Sequence, residues 1–507
     1  MTTATRLKLL SIGAAFAVGL AAAPISAQNL RIGLQEDPDL LDPDTGRTFV
    51  GRIVFAAMCD KLIDIDPELS FVPQLATSWS WSDDALALTM SLRQGVRFQD
   101  GEPFNAEAVK FNIERSQTLP GSRRKSELAT VSGVDVVDEH TVRINVSAPF
   151  SPLLAALADR AGMMVSPKAA AALGEDLATA PVCAGPFAFT ERVQQERIVL
   201  EKFDGYWNAD AIGIERVEYR IIPDTTVRLA NLQSGDLDMI ERLATSDIAA
   251  VEADPRLSLE QATGLGYQGL TVNLNNGPRA DNPLGNDPRV REALELAIDR
   301  NVINQVVFDG RFLPGNQPVP PTNPFYIGTW PTPERDVERA KALLAEAGVS
   351  KPTFELMVTN NPIGLQVGQV VQAMASEAGF NLELKATEFA TALQRQSAGD
   401  FELFLIGWSG RVDPDGNIHI FVETDGALND GKYSNPEADA AVNAARQSSV
   451  YQERHALYEK AAQHYLADRP RIYLYHVKWF WAVSDDVDGF VPFPDGMIRL
   501  QGVKLGS

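Results

Sequence analysis

The chain has 507 residues, with 45 Lys and Arg against 67 Asp and Glu, a formal net charge of −22 and two cysteines. This length exceeds one compact core, so two or three lobes are expected. The acidic balance argues against nucleic acid or an anionic membrane surface as a partner, because neutralising phosphate requires clustered Lys and Arg. Two cysteines exclude a disulfide-rich scaffold and a four-thiolate metal site.

The N-terminal residues are typical of a secretory signal peptide. Arg6 and Lys8 precede an apolar run over 9–23, and a small-residue cleavage site ends at Ala27. The run is shorter than the ~20 apolar residues that span a bilayer, and no Cys follows the cleavage site to carry a lipid. We therefore expect residues 1–27 to be removed, which leaves an exported, unlipidated and soluble chain with a net charge of −24.

Export places Cys59 and Cys183 in an oxidising compartment, where a disulfide persists. An even pair of cysteines in an exported protein usually forms one disulfide. Closing so long a loop would contribute ~4–5 kcal/mol in the chain-entropy model. Two buried free thiols are the alternative, and we expect the disulfide.

The first half of the chain is rich in strand patterns, and the second half alternates helices with strands. Apolar and polar residues alternate over 86–92, 142–146 and 197–202, which predicts half-buried strands. Asp100-Gly101 predicts a turn, and Asp287-Pro288 predicts a helix cap with its first-turn proline. Strand and helix patterns then alternate over 354–358, 365–378, 382–385, 390–397 and 401–406.

This βαβαβ order implies an α/β fold with a parallel sheet and helices on its faces. The strand-rich first half predicts a separate lobe joined to it. Two lobes form a cleft, and clefts between domains are preferred ligand sites.

Short motifs follow one another along nearly the whole mature chain. They lie at 72–84, 92–101, 106–111, 184–187, 206–207, 222–224, 228–238, 287–291, 297–300, 340–348 and 407–408. In this order they resemble the peptide-type solute-binding proteins of ABC importers, family 5, which include the dipeptide, oligopeptide, glutathione and nickel receptors.

The resemblance implies a bilobed periplasmic-binding-protein fold of type II with three subdomains, mixed sheets and a ligand cleft between the lobes. It implies a periplasmic monomer that passes a peptide or other small-molecule solute to ABC permease subunits, without a cofactor or metal. Lobe I would comprise 28–58, 186–270 and 482–507, its extra subdomain 59–185, and lobe II 271–481.

The loop at 407–417 is the most informative candidate site. It follows the strand pattern over 401–406, at the carboxyl end of a parallel strand, where open α/β sheets bind ligands. In the dipeptide and oligopeptide receptors that it resembles, an Asp soon after the Trp holds the ligand's α-ammonium. Arg411 stands there instead, and a guanidinium suits a carboxylate or phosphate. We expect ligand contacts from Trp408, Arg411, Asp413 and Asn417.

Three interpretations of this loop stay open. Asp413 takes over the ammonium while Arg411 holds a carboxylate, as in a zwitterionic peptide. Alternatively, the ligand is anionic and has no free N-terminus, as in opine-like or glutathione-like solutes. In the third, Arg411 and Asp413 pair with each other or with loop carbonyls and only brace the turn. The spacing Asp413-x-Asp415-x-Asn417 is similar to a calcium loop but lacks its glycine and glutamate, so no metal is expected.

Four further cleft residues are predicted from other segments. Tyr267 lies where the resemblance takes the chain from lobe I into lobe II, although ordinary packing also explains it. Arg47 and Thr48 lie in a segment similar to the family's first cleft loop and can donate hydrogen bonds. Arg160 lies in a turn that contains glycine, where surface exposure is the simpler expectation. His419 is close in sequence to the Arg411 loop.

The sequence therefore predicts a non-enzymatic receptor that closes two lobes around a peptide or peptide-like solute with a carboxylate. A non-peptide anionic solute, such as an opine, a sugar derivative or a metal chelate, is the alternative. A secreted hydrolase of peptides or glycans is the competing class, and no nucleophile elbow, phosphate-binding loop or zinc-protease motif supports it.

Overall fold

The structure is a computed structural model that describes Thr2 and residues 28–506. Apart from Thr2, the predicted signal peptide, residues 1–27, lies outside the described residues. Within the described part of the chain, no helix is long and apolar enough to cross a membrane.

The chain begins in the first lobe and then enters a subdomain with a four-stranded antiparallel sheet, ordered β4-β5-β7-β6. The elements are β1 (Asn29–Leu34), α1 (Phe49–Met58), β2 (Ile63–Ile65), β3 (Phe71–Pro73), β4 (Ala76–Trp81), β5 (Ala87–Leu92), α2 (Ala106–Thr118), β6 (Val131–Asp138), β7 (Thr141–Val146), α3 (Leu153–Leu157) and α4 (Pro167–Leu173).

The alternation predicted for β5 and β7 is confirmed. Leu88 and Met90 of β5 and Ile144 of β7 are fully buried in the subdomain core, while their neighbours in the strands are more exposed. Trp79 and Trp81 pack against the same core. Gly101 has a φ of +84°, which forms the predicted turn without steric strain.

The chain next returns to the first lobe, whose strands form most of a seven-stranded sheet. The elements are β8 (Phe187–Val193), β9 (Arg197–Lys202), β10 (Arg216–Ile221), α5 (Thr225–Gln233), β11 (Met239–Ile240), α6 (Ile248–Ala253) and β12 (Leu257–Thr263). In this sheet β1 lies parallel to both β10 and β11, and the remaining pairs are antiparallel.

The second lobe is built on a six-stranded sheet. Its elements are β13 (Tyr267–Val272), α7 (Pro283–Asn286), α8 (Pro288–Ala297), α9 (Arg300–Phe308), β14 (Leu313–Pro314), α10 (Val337–Glu346), β15 (Thr353–Thr359), α11 (Pro362–Glu377), β16 (Asn381–Thr387), α12 (Phe389–Ser397), β17 (Leu403–Trp408), α13 (His419–Val422), α14 (Pro436–Gln447), α15 (Tyr451–Asp468) and β18 (Arg471–His476).

The predicted βαβαβ unit is confirmed in this lobe. The strand order is β14-β18-β13-β17-β15-β16, and β15 pairs in parallel with both β16 and β17. Asp287 caps α8 by accepting a hydrogen bond from the Arg289 amide, as predicted. The buried face of α8 then packs into the core of the second lobe.

The last strands are β19 (Lys478–Ser484), β20 (Val487–Asp488) and β21 (Lys504–Leu505). Strand β19 inserts between β12 and β11 and so completes the sheet of the first lobe, in the order β12-β19-β11-β1-β10-β9-β8. The chain therefore crosses between the lobes at 264–266 and at Val477, a few residues before the predicted boundaries after 270 and 481. The reason is hydrogen bonding, because β13 pairs with β17 and β18 of the second sheet.

Gly266 lies in the first crossing segment. A Cβ there would come 1.7 Å from the Trp408 carbonyl oxygen, so glycine is required for the crossing to pass beside the loop after β17. The predicted disulfide between Cys59 and Cys183 is confirmed, and it ties the end of α1 to the chain that leaves the subdomain.

Candidate ligand-binding cleft

A cavity of about 220 Å³ lies between the two lobes, next to both crossing segments. The first lobe and its subdomain contribute residues from α1, from β19 and from the segments that follow β1, α3 and β11. The second lobe contributes residues from β13, α11, α12, β17 and β18. Most of the wall is apolar, including Phe49, Phe308, Phe312, Phe389, Trp408, Phe421 and Trp479.

The charged side chains that line the cavity are mostly cationic. Within residues 28–506, seven cations face two acids: Arg47, Arg52, Arg160, Arg242, Arg411, Arg471 and Lys478 against Glu36 and Asp430. Both acids already form ion pairs, Glu36 with Arg242 at 3.0 Å and Asp430 with Arg47. The cavity is thus electropositive, although the chain as a whole is strongly acidic.

Three of these arginines gather around one carboxylate, Asp159. Arg52 of α1 binds it at 3.0 Å, and Arg411 of the loop after β17 binds it from the other lobe. Arg160, the next residue, donates a hydrogen bond to the Gly46 carbonyl at 2.7 Å. Burial lowers the pKa of the Arg160 and Arg411 guanidiniums. We call Arg52, Asp159, Arg160 and Arg411 the Asp159 cluster.

The surface exposure expected for the Asp159-Arg160 turn is wrong. The two residues are only 7% and 2% exposed. The cause is the set of contacts just described, which hold the turn against α1 and against the second lobe.

Arg411 and Trp408 line the cavity in a fixed arrangement. The Arg411 guanidinium stacks on the Trp408 ring at 4.2 Å from its centroid and donates to the Gly410 carbonyl at 2.7 Å. The Asn417 side-chain oxygen accepts hydrogen bonds from Trp408 Nε1 at 3.0 Å and from the Arg411 amide at 2.7 Å. Asn417 does not line the cavity, and it positions the two residues that do.

Asp413 does not line the cavity either. It forms a two-pronged ion pair with Arg454 of α15, at 2.7 and 2.9 Å, and Asp415 binds Arg446 of α14 at 2.8 Å. Arg411 and Asp413 therefore do not pair with each other, and Asp413 is not free to accept a ligand ammonium. The interpretation that gives the ligand ammonium to Asp413 therefore lacks the geometry that it requires. The bracing interpretation loses its Arg411–Asp413 pair, whereas its other contact, between Arg411 and a loop carbonyl, is present at Gly410.

Tyr267, Arg47 and Thr48 have different surroundings. Tyr267 lines the cavity, and Arg47 reaches across the cleft to Asp430 and to Ser397 Oγ at 2.7 Å. Thr48 does not line the cavity. Its hydroxyl caps α1 by accepting a hydrogen bond from the Gly51 amide, and it donates a hydrogen bond to Asp39. These two hydrogen bonds use the hydrogen-bonding capacity of the Thr48 hydroxyl.

Three cavity residues were not predicted from the sequence: Arg52, Phe421 and Arg471. Arg52 lies in an otherwise apolar helix, and Arg471 reaches the cavity only because β18 pairs with β13. No local motif marks either residue. His419, close to the Arg411 loop in sequence, binds Asn443 at 2.8 Å and does not line the cavity.

Residues 70–429 match the family described as bacterial extracellular solute-binding proteins, family 5 Middle. The chain belongs to this family. The resemblance stated from the motifs is thereby confirmed, and members of the family are binding proteins that work with ABC importers.

Individual relatives cover nearly the whole chain. The glutathione-binding protein GsiB of Pectobacterium atrosepticum is 28% identical over 508 aligned positions, which cover 97% of this chain and 98% of that protein. A dipeptide-binding protein from Pseudoalteromonas sp. SM9913, solved in complex with Met-Leu, has a TM-score of 0.88 and 25% identity, covering 94% of this chain and 100% of that one.

The binding protein AgaA from A. tumefaciens R10, solved in complex with agropinic acid, has a TM-score of 0.84 and 26% identity. The match covers 94% of this chain and 99% of that one. These similarities confirm the predicted bilobed periplasmic-binding-protein fold, and with it the role of a solute-binding protein.

Proposed function

We propose that this protein captures a small anionic, peptide-like solute between its lobes and delivers it unchanged to an ABC permease. The observation that carries the proposal is the charge of the cavity. Among the described residues, seven cations face two acids that are already paired, and two of the cations, Arg52 and Arg411, share Asp159. Unmatched buried charge is costly, and an anionic ligand would offset that cost.

The solute should carry more carboxylates than ammonium groups. Glu36 and Asp430 are the acids among the described cavity residues, and both are held by arginines. A ligand ammonium would have to displace one of those arginines. Glutathione and agropinic acid, named with two of the relatives, are more suitable model ligands than the dipeptide Met-Leu.

Closure of the two lobes would enclose the solute. Several cross-lobe contacts favour the closed form: Arg47 with Asp430, Arg411 with Asp159, and Arg52 Nη1 with Ser409 Oγ at 3.2 Å. The crossings at 264–266 and at Val477 are the only two chain connections between the sheets within residues 28–506, and they would act as the hinge. Ligand that contacts both lobes shifts the population towards closure.

The export and assembly predictions belong to the same proposal. Cleavage after Ala27 would give a periplasmic, unlipidated monomer. Mass spectrometry of protein from a periplasmic fraction would test the cleavage site, and light scattering would test the monomer. A retained N-terminal segment, or a lipid on the chain, would contradict the proposed location.

The ligand class is tested by calorimetry with glutathione, agropinic acid and Met-Leu. We expect the two anionic solutes to bind more tightly than the dipeptide, and mass spectrometry should recover every solute unchanged. Preference for a neutral or cationic solute would refute the anionic class. Conversion of a solute would instead indicate a hydrolase.

A further inference from the structure

Arg471 is a cavity arginine that forms no ion pair within the described residues and lies outside the Asp159 cluster. Arg47 and Arg242 have their own carboxylates, and the other cavity arginines belong to the Asp159 cluster. Among the described residues, Arg471 has no ion pair. Its side chain makes one hydrogen bond, from Nη1 to the Tyr267 hydroxyl.

The surroundings of Arg471 are aromatic rather than acidic. Its guanidinium lies 4.6 Å from the Phe421 ring centroid and 5.2 Å from that of Tyr267. Burial, with a smaller contribution from the charge of Arg47, lowers its pKa to about 10. Stacking on rings leaves most of the guanidinium N–H donors free for an acceptor in the cavity.

Arg471 and Arg411 lie at opposite ends of a row of aromatic rings. Arg411 stacks on Trp408, the Trp408 and Phe421 rings meet edge to face at 5.1 Å, and Phe421 lies against Arg471. All four residues line the same cavity. Two rings lie between the guanidiniums along this row of contacts, so we expect each guanidinium to bind its own anionic group.

We propose that Arg471 forms a second anion-binding subsite, so that the solute carries two separated anionic groups, most simply two carboxylates. One binds Arg471 together with the Tyr267 hydroxyl, and the other binds Arg411 and Arg160 of the Asp159 cluster. The body of the solute lies along Trp408 and Phe421. This inference rests on the proposed function and narrows its solute class to organic diacids.

The experiment measures the binding of diacid probes to two protein variants. Arg471→Gln and Arg411→Gln each remove one guanidinium and retain an amide donor. The probes are glutathione, its two monoamides, each lacking one carboxylate, and the linear diacids from succinate to pimelate with their monoesters. Arg256→Gln is the control, because Arg256 is an exposed arginine paired with Asp254 outside the cavity.

We expect each variant to weaken diacid binding by about 10- to 100-fold, the usual effect of losing a hydrogen bond to a charged group. Against a monoamide or monoester, Arg471→Gln should have little effect when the missing carboxylate is the one that Arg471 holds. For glutathione, Arg411→Gln should have little effect on the binding of the other monoamide, which lacks the carboxylate that Arg411 holds. It should weaken the binding of the monoamide that keeps this carboxylate. Arg256→Gln should bind every probe like the wild type.

Urea unfolding of the ligand-free protein separates a binding role from a structural one. Arg471→Gln should be at least as stable as the wild type, because it removes a cation without a carboxylate partner. A marked loss of stability would show that Arg471 only supports the fold, and would overturn the subsite.

The outcomes for the subsite and for the proposed function are distinct. Wild-type protein that binds anionic solutes, but binds diacids no better than their monoamides or monoesters, would overturn the second subsite and leave the proposed function standing. Failure to bind any anionic solute, agropinic acid included, would overturn both.

Discussion

The loop after β17 contains two kinds of buried charge, and their difference separates structural residues from candidate binding residues. In its second half, Asp413 and Asp415 each have their own arginine, Arg454 and Arg446. In its first half, Arg411 shares Asp159 with Arg52. The second half lies away from the main cavity and the first half faces it.

This comparison shows that residue type and loop position do not identify a binding residue. A buried ion pair with one carboxylate for each guanidinium is complete, and removing one partner mainly costs stability. A group of cations that share one acid has capacity left for a ligand. We name these regions the braced half, residues 412–417, and the cavity half, residues 409–411.

The largest effect is expected from Asp413→Asn in the braced half. This change leaves Arg454 buried without its carboxylate, so the free energy of unfolding should fall by about 3 kcal/mol or more in urea titrations. Solute affinity of the folded protein should change little. Asp425→Asn, at an exposed position nearby, is the control. If Asp413→Asn weakened binding without destabilising the fold, the comparison would fail.

Arg411→Gln in the cavity half should show the opposite pattern. Affinity for an anionic solute should fall by about 10- to 100-fold in calorimetry. Stability without ligand should change by less than about 1 kcal/mol, because Asp159 keeps its ion pair with Arg52. Unchanged affinity together with lower stability would place Arg411 with the braced residues.

Arg47→Gln tests a contact between the lobes that belongs neither to the braced half nor to the proposed anion-binding subsites. The change removes the ion pair with Asp430 between the lobes, so the closed form should be less populated. We expect a roughly 3- to 10-fold loss of affinity for every solute, whatever its number of carboxylates. Small-angle X-ray scattering should show a more extended ligand-free protein, and an unchanged radius of gyration would argue against this role.

The braced half and the cavity half should also differ in pH dependence, with a small effect on stability near the braced half. Burial lowers the pKa of His419, which lies next to the braced half, below 6.5. The unfolded chain then binds more protons than the folded one below pH 6.5, so stability present above that pH is lost as the pH falls. His419→Gln should reduce this loss by up to about 1 kcal/mol between pH 7 and 5.

Affinity should not follow the same pH profile. The cation-rich cavity relies on arginines, which keep their charge between pH 5 and 8. Calorimetry over that range should therefore give a nearly constant dissociation constant for a fully ionised solute. A steep change would indicate that a titrating group takes part in binding.

Several parts of the fold could be predicted because they depend on neighbours in sequence. Alternation predicted the subdomain strands, and Asp287-Pro288 predicted the start of α8. The predicted strand located Trp408 at the carboxyl end of β17 and Arg411 in the loop that follows, and both residues line the cavity. These inferences succeeded because hydrophobic periodicity and capping act over a few residues.

The candidate site was only partly predictable, since its contacts join distant segments. Arg52 and Asp159 are 107 residues apart, and Arg47 and Asp430 are 383 apart. Asp413 looked like a ligand group because its partner, Arg454, lies 41 residues later on another helix. Arg471 carries no motif at all.

By itself, the sequence determined the family, the α/β class, the cysteine pair and a net charge of −22. It also predicted an export signal. Only the tertiary structure decided the sign of the cavity and which charges are already matched. The physical reason is that net charge is a sum without positions, whereas binding depends on which side chains face one enclosed space. In the described part of the chain, seven cations face that space, and the acidic excess lies elsewhere.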